Sequence, residues 1–214
     1  MMKTKTVVIL FIFLSVSTCA RQRDLPAAPV VQERGKLKLI IPEDDWEPLF
    51  YEEIKERAEI AKLRNLRAIV LPNDDLEVRV WMGFGLSALE SFVVRRDTGQ
   101  WSAMHLDGVH PDRPQKNPQK DLRAPKSGWE IFWKRVVEAG ILILPDSSEL
   151  KGEKLVMDGF GYVVEINMNR TYRTYIYLNP DWQEWPEAKQ MIRISNLIAE
   201  EFGLQEFQVK ETQR

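Results

Sequence analysis

The chain has 214 residues, 44% apolar, 29% charged and 10% aromatic, with 30 Lys plus Arg against 32 Asp plus Glu, two His and one Cys. That composition excludes a collagen, a disulfide scaffold and a wholly disordered tail. A net charge of -2 leaves no basic excess to neutralise phosphates, which argues against a nucleic-acid partner, and the length suits one domain with a real core.

Residues 1–19 read MMKTKTVVILFIFLSVSTC: Lys3 and Lys5, an apolar run from Val7 to Leu14, then small residues up to Cys19. This is the order of a secretory signal, and the run turns polar too early for the ~20 apolar residues of a spanning helix. The last four, Val16-Ser17-Thr18-Cys19, resemble the lipobox of bacterial lipoproteins, with Val16 and Thr18 where that family usually carries Leu and a Gly, Ala or Ser. The resemblance implies removal of residues 1–18, lipidation of Cys19 on sulfur and a lipid-anchored protein of the cell envelope. Two alternatives stay open: ordinary cleavage after Ala20, which discards the cysteine, and an uncleaved anchor. A lone cysteine makes no intramolecular disulfide, which favours the lipidated reading.

Residues 19–36 carry Pro26 and Pro29 without helical or strand periodicity and are expected to be a flexible tether. A single α+β domain should fill 37–214. Its first run, residues 37–41, is β-type and stopped by Pro42. Pro48, early acidic residues and late basic ones then predict a helix over 48–62, with Phe50, Ile54, Ala58 and Ala61 on one face.

From Leu76 to Phe84 the residues alternate, Val78, Val80 and Met82 against Glu77, Arg79 and Trp81, which predicts a half-buried strand. Residues 92–95 and 101–106 flank Asp97-Thr98-Gly99-Gln100 and predict a hairpin. Residues 108–127 hold four prolines and almost nothing apolar, so they read as one long loop or a subdomain break. Ser127 is placed to cap a helix presenting Trp129, Phe132, Trp133, Val136 and Val137, stopped by Gly140. Indoles at that spacing usually belong to a core, so a ligand platform is not inferred from them.

Residues 141–144 form an apolar run ended by Pro145, and Asp158-Gly159 opens a second hairpin. With Met168, Asn169 and Arg170 as its loop, Glu165 is expected opposite Arg173, Val163 opposite Tyr175, Val164 opposite Thr174 and Tyr162 opposite Ile176. That register puts Glu165, Arg173 and Tyr177 on the outer face. Ala188, Met191, Ile192, Ser195, Ile198, Ala199 and Phe202 predict a last helix over 186–202 with Gly203 as stop, and Leu204 and Phe207 anchor the tail. The fold class is therefore α+β: mainly antiparallel hairpins packed with three helices.

Chemistry has few carriers. His105, Asp107, His110 and Asp112 fall within eight residues, enough for the two His and one carboxylate of a facial metal triad, but a strand end entering a polar loop explains them better, and no metal or other cofactor is expected. Glu77, Glu90, Asp158 and Glu165 are the carboxylates that a hydrolase would place across a cleft. Gly83-Phe84-Gly85 and Gly159-Phe160-Gly161 lack the third glycine and following helix of a phosphate loop and read as strand glycines.

There remain Arg and aromatic residues on strands: Arg79 and Trp81, Arg95 and Arg96, and Arg173, Tyr175 and Tyr177. Exposed together, they would make a binding surface; paired across strands, they make a structural Arg–Glu network. The expected function is a membrane-tethered, non-catalytic binding domain for an envelope protein, peptide or glycan, with an exported hydrolase using carboxylates or the His105/His110 loop as the alternative. Segments such as 76–106 and 158–180 resemble bacterial proteins of unknown function, which adds no mechanism.

Overall fold

The computed structural model describes residues 30–34, 36–84, 87–109, 119–154 and 160–207. Signal, Cys19, His110, Asp112, Gly85, Asp158 and Gly159 lie outside them. Eight strands make one sheet, β1 (Val30–Arg34), β2 (Leu37–Ile41), β3 (Leu76–Phe84), β4 (Ser87–Asp97), β5 (Gln100–Val109), β6 (Gln119–Leu122), β7 (Gly161–Met168) and β8 (Thr171–Leu178), in the order β1-β2-β8-β7-β3-β4-β5-β6. All neighbours are antiparallel except β2 and β8. With helices α1 (Glu47–Ile60), α2 (Trp129–Glu138) and α3 (Pro186–Phe202), the fold is α+β, as expected from the alternating runs. No helix among the described residues is long and apolar enough to cross a membrane.

Helices cover both faces of the sheet. On one, Val78, Val80, Phe92, Val94, Val164 and Ile166 pack against Phe132 and Val136 of α2 and Met191, Ile194 and Ile198 of α3. On the other, Trp81, Val163 and Ile176 pack against Ile54 and Ala58 of α1 and the following Ala61. The half-buried reading of β3 is therefore corrected: Glu77, Arg79 and Trp81 are buried too, because β3 is central and α1 roofs the face that carries them.

Local chemistry sets the element ends. Asp44 Oδ1 accepts the Trp46 and Glu47 N–H groups at 2.9 and 2.6 Å and so starts α1, with Pro48 in its first turn. At α2 the expected cap is displaced. Gly128, at φ 85°, holds the cap position, while the Ser127 N–H donates to Glu201 Oε2 at 2.8 Å. Gly140 at φ 100° and Gly203 at φ 72° end α2 and α3 as expected. Leu204 and Phe207 are buried and anchor the chain after α3.

Three further expectations change. Residues 30–34, expected within the tether, pair with β2 as a strand. The proline-rich loop contains β6, which pairs Leu122 with Ala103 and Gln119 with Leu106, so the sheet continues through the suspected subdomain break. The second hairpin is shifted by one residue: Glu165 faces Thr174, Val163 faces Ile176, Tyr162 faces Tyr177 and Val164 faces Tyr175. Asn169 (φ 49°) and Arg170 (φ 60°) form a two-residue turn with both residues left-handed, and closing the loop with two residues instead of three moves every pair. Thr98 (φ 49°) and Gly99 (φ 80°) turn the expected hairpin between β4 and β5 in the same way.

Candidate functional site

The sheet face beneath α1 carries the densest charge chemistry of the described chain. Its origin is the period of two along β3, which aims Glu77, Arg79 and Trp81 at α1, and the register, which sets Glu77 opposite Arg95 and Arg79 opposite Glu165. Glu77 has no exposed surface. Its carboxylate accepts from Arg79 Nε at 2.7 Å, Arg95 Nε at 2.8 Å and Arg64 Nε at 2.6 Å. Burial alone would raise its pKa, but the charges of Arg79, Arg95 and Arg64 outweigh that and hold the carboxyl below its ordinary value.

Arg79, 1% exposed, also donates Nη2 to the Arg64 carbonyl at 2.6 Å and stands 3.6 Å from Glu165 through Nη1. Glu165 accepts the Trp81 indole N–H at 2.8 Å and the Tyr172 hydroxyl at 2.9 Å. Burial, then the neighbouring Glu165 charge, pushes the Tyr172 hydroxyl well above its usual pKa, so it is a donor at neutral pH. Arg67 closes the chain, donating Nε to the Tyr172 hydroxyl at 3.1 Å, pairing with Glu47 and lying over the Tyr51 ring at 3.4 Å. With Asp97, which accepts from Arg64 Nη2 at 3.0 Å, four carboxylates meet four guanidinium groups in a neutralised network holding α1 and the segment after it against the sheet.

Arg173, Tyr175 and Tyr177 serve a different role on the opposite face. Arg173 donates to the Leu142 carbonyl at 2.8 Å and to the Leu144 carbonyl, Tyr175 to the Ile141 carbonyl at 2.8 Å, and Tyr177 to the Pro145 carbonyl at 2.8 Å. The Ile176 N–H, pointing along the sheet, donates to Asp146 Oδ2 at 2.7 Å. Four residues of β8 thus pin residues 141–146, giving their backbone carbonyls partners. Burial pushes both tyrosines well above their ordinary pKa, and it takes Asp146 up to about 6.

The five residues considered as a binding surface do not share an exposed face. Arg79 and Trp81 are buried under α1, Tyr175 and Tyr177 are buried on the α2/α3 side, and Arg173 is half-buried with them. Glu165 and Arg173, expected to pair, point to opposite faces because of the one-residue shift. Arg79 and Trp81 join the cross-strand network of Glu77 and Glu165, whereas Arg173, Tyr175 and Tyr177 bond to main-chain carbonyls instead. Arg64, Arg67 and Glu47 were not indicated by any motif; Asp146 carried only the local capping-box spacing to Glu149. The available signal was indirect: two acids on the buried face of a central strand pair require cations from elsewhere.

Other candidates are occupied locally. His105 Nε2 lies 3.3 Å from Glu90 and its ring meets Phe207 edge-on at 5.9 Å. Among the described residues no group of three His, Cys, Asp or Glu is placed to hold a metal. Trp101 stacks on Trp129 with centroids 6.0 Å apart, leans on Trp133 at 5.5 Å, and donates its indole N–H to Glu130 at 3.1 Å. All three indoles pack against the larger core, as the helical spacing of Trp129 and Trp133 led one to expect for those two. Gly83, at φ 129°, sits at a bulge between β3 and β4, and a Cβ on Gly161 would lie 2.8 Å from Leu178, so the first marks a bulge and the second a close approach.

Comparison with known proteins gives no match to a family model, a curated protein or a solved structure.

Proposed function

We propose that this chain is an exported lipoprotein, acylated at Cys19 and tethered to a membrane of the cell envelope, whose α+β domain is a non-catalytic binding module for an envelope protein, a peptide or a glycan. The observation that carries the tethering is the N-terminal sequence: two lysines, an apolar run of signal length and a single cysteine at its end. Acyl chains supply membrane affinity at ~0.8 kcal/mol per buried CH₂, so the domain needs no apolar membrane surface of its own. Support for binding over hydrolysis comes from the carboxylates. Both oxygens of Glu77 and of Glu165 are engaged by Arg, Trp or Tyr donors, which suits charge neutralisation better than proton transfer to a substrate.

The test is intact-mass measurement of the protein extracted from membranes, beside a Cys19→Ala variant. The expected result is a mature chain starting at Cys19 with added acyl mass, and loss of both the mass and membrane association in the variant. A wild-type protein of unmodified full-length mass in the soluble fraction would overturn the reading. So would a wild type and variant that fractionate alike.

A further inference from the structure

Between α1, the segment that follows it and the sheet lies a cavity of about 30 Å³, walled by Tyr51, Ile54, Ala58 and Leu66 and reaching Arg79 and Glu165 at the sheet. Arg79 spends Nε and Nη2 on direct hydrogen bonds to Glu77 and the Arg64 carbonyl. Nη1 is the exception. Its nearest carboxylate oxygen, on Glu165, is 3.6 Å away, beyond hydrogen-bond reach. Among the described residues no protein acceptor lies within hydrogen-bond reach of that nitrogen, which borders the pocket, and an unmet charged donor is costly.

We propose that this partly open pocket is a hydration site, holding one or two water molecules that bridge Arg79 Nη1 to the Glu165 carboxylate. The volume decides the class of ligand. A water needs ~10–15 Å³ of such space, so two fit and no sugar or amino acid does. The walls decide it further: a positive guanidinium opposes a metal cation, a carboxylate opposes an anion, and a charged pair opposes an apolar guest. The Glu165 oxygens each accept one protein donor, leaving lone pairs for water. Tyr51 and Asn65, whose polar atoms approach each other at 3.5 Å, line the same space and offer further partners. Two waters there give Arg79 the hydrogen bond that the protein itself does not supply, and they join the α1 side of the network to the sheet side.

The experiment is a near-atomic-resolution crystal structure of the domain-bearing full chain, with the same structure of Ala58→Leu, whose larger side chain fills the cavity. Ordered density within hydrogen-bond distance of both Arg79 Nη1 and a Glu165 oxygen is expected in the wild type and absent in the variant, which should melt at a lower temperature. An empty cavity in the wild type overturns the proposal. So does a direct Arg79 Nη1–Glu165 hydrogen bond that closes the space, or an Ala58→Leu protein more stable than the wild type. If Ala58→Leu fails to fold, the wild-type density alone decides.

Discussion

Two buried acids show how differently the same burial acts on individual residues. Glu77 sits among three guanidinium groups that overcome its desolvation, so its carboxyl is held below the ordinary value of 4.5. Its contribution to stability is present above that value and is lost as pH falls through the lower folded one. Asp146 also accepts backbone N–H groups, from Ile176 and Ser148, but no cation faces it, and burial dominates, raising it from 3.8 to about 6. The sign is therefore opposite. What Asp146 contributes is complete below 3.8 and is lost as pH rises through about 6. Replacing it with neutral Asn removes that dependence. Urea midpoints of wild type and Asp146→Asn, compared from about pH 4 to pH 7, should shift steadily in favour of the variant, by roughly 2–3 kcal/mol in all. Parallel curves for the two proteins would refute it. The spacing to Glu149 marks Asp146 as a cap, but nothing local marks its second partner, a main-chain N–H of a distant strand.

At the scale of elements, what was legible depended on whether the information lay within one segment. The last helix was readable to its ends, since Pro186, the apolar stripe and Gly203 are all local signals. The hairpin at Asp97-Thr98-Gly99-Gln100 was equally plain, with a glycine where the left-handed turn needs one. The β7–β8 hairpin was located but its register was not. Its turn is Asn169-Arg170, and Arg170 adopts φ 60° without the glycine that would have announced a two-residue loop. That strain is measurable. Arg170 is exposed, and the only bond it supplies to β2 is its carbonyl to the Lys38 N–H, which glycine keeps. Relief of a left-handed residue is worth ~1–2 kcal/mol, and glycine's added freedom in the unfolded chain takes back ~0.4–1. Arg170→Gly should thus raise stability by about 0.5–1 kcal/mol in denaturant titration. A loss of stability would mean that the Arg170 side chain makes a contact that outweighs the backbone strain. The burial of both faces of β3 was beyond local reading for another reason. Alternation reports that two faces differ, not whether a helix fifteen residues upstream roofs the polar one.

For the whole molecule, strand order joins the segments on either side of residues 108–127 into one sheet. β7 and β8 come late in the chain yet stand between β2 and β3, joining the early strands β1 and β2 to the β3–β4–β5–β6 meander. Every long-range strand pairing through that centre, Lys38 with Thr171 and Arg79 with Glu165 among them, links the first half of the sequence to the second. The core is divided likewise: Val78, Val80 and Phe92 come from the first half and are covered by α2 and α3 from the second. A fragment of residues 30–109 would leave β2 and β3 without the strands between them, exposing the Glu77 and Arg79 charges on an unsupported edge. A fragment of residues 119–207 would hold one hairpin and two helices with no sheet to cover. Such halves bury too little apolar surface to offset their chain entropy. Expressed separately, each should give the collapsed amide dispersion of an unfolded chain in NMR spectra, whereas the two mixed should recover dispersed resonances if the halves can find each other. Cooperative thermal unfolding of either fragment on its own would show that the centre of the sheet is not what binds the domain into one unit.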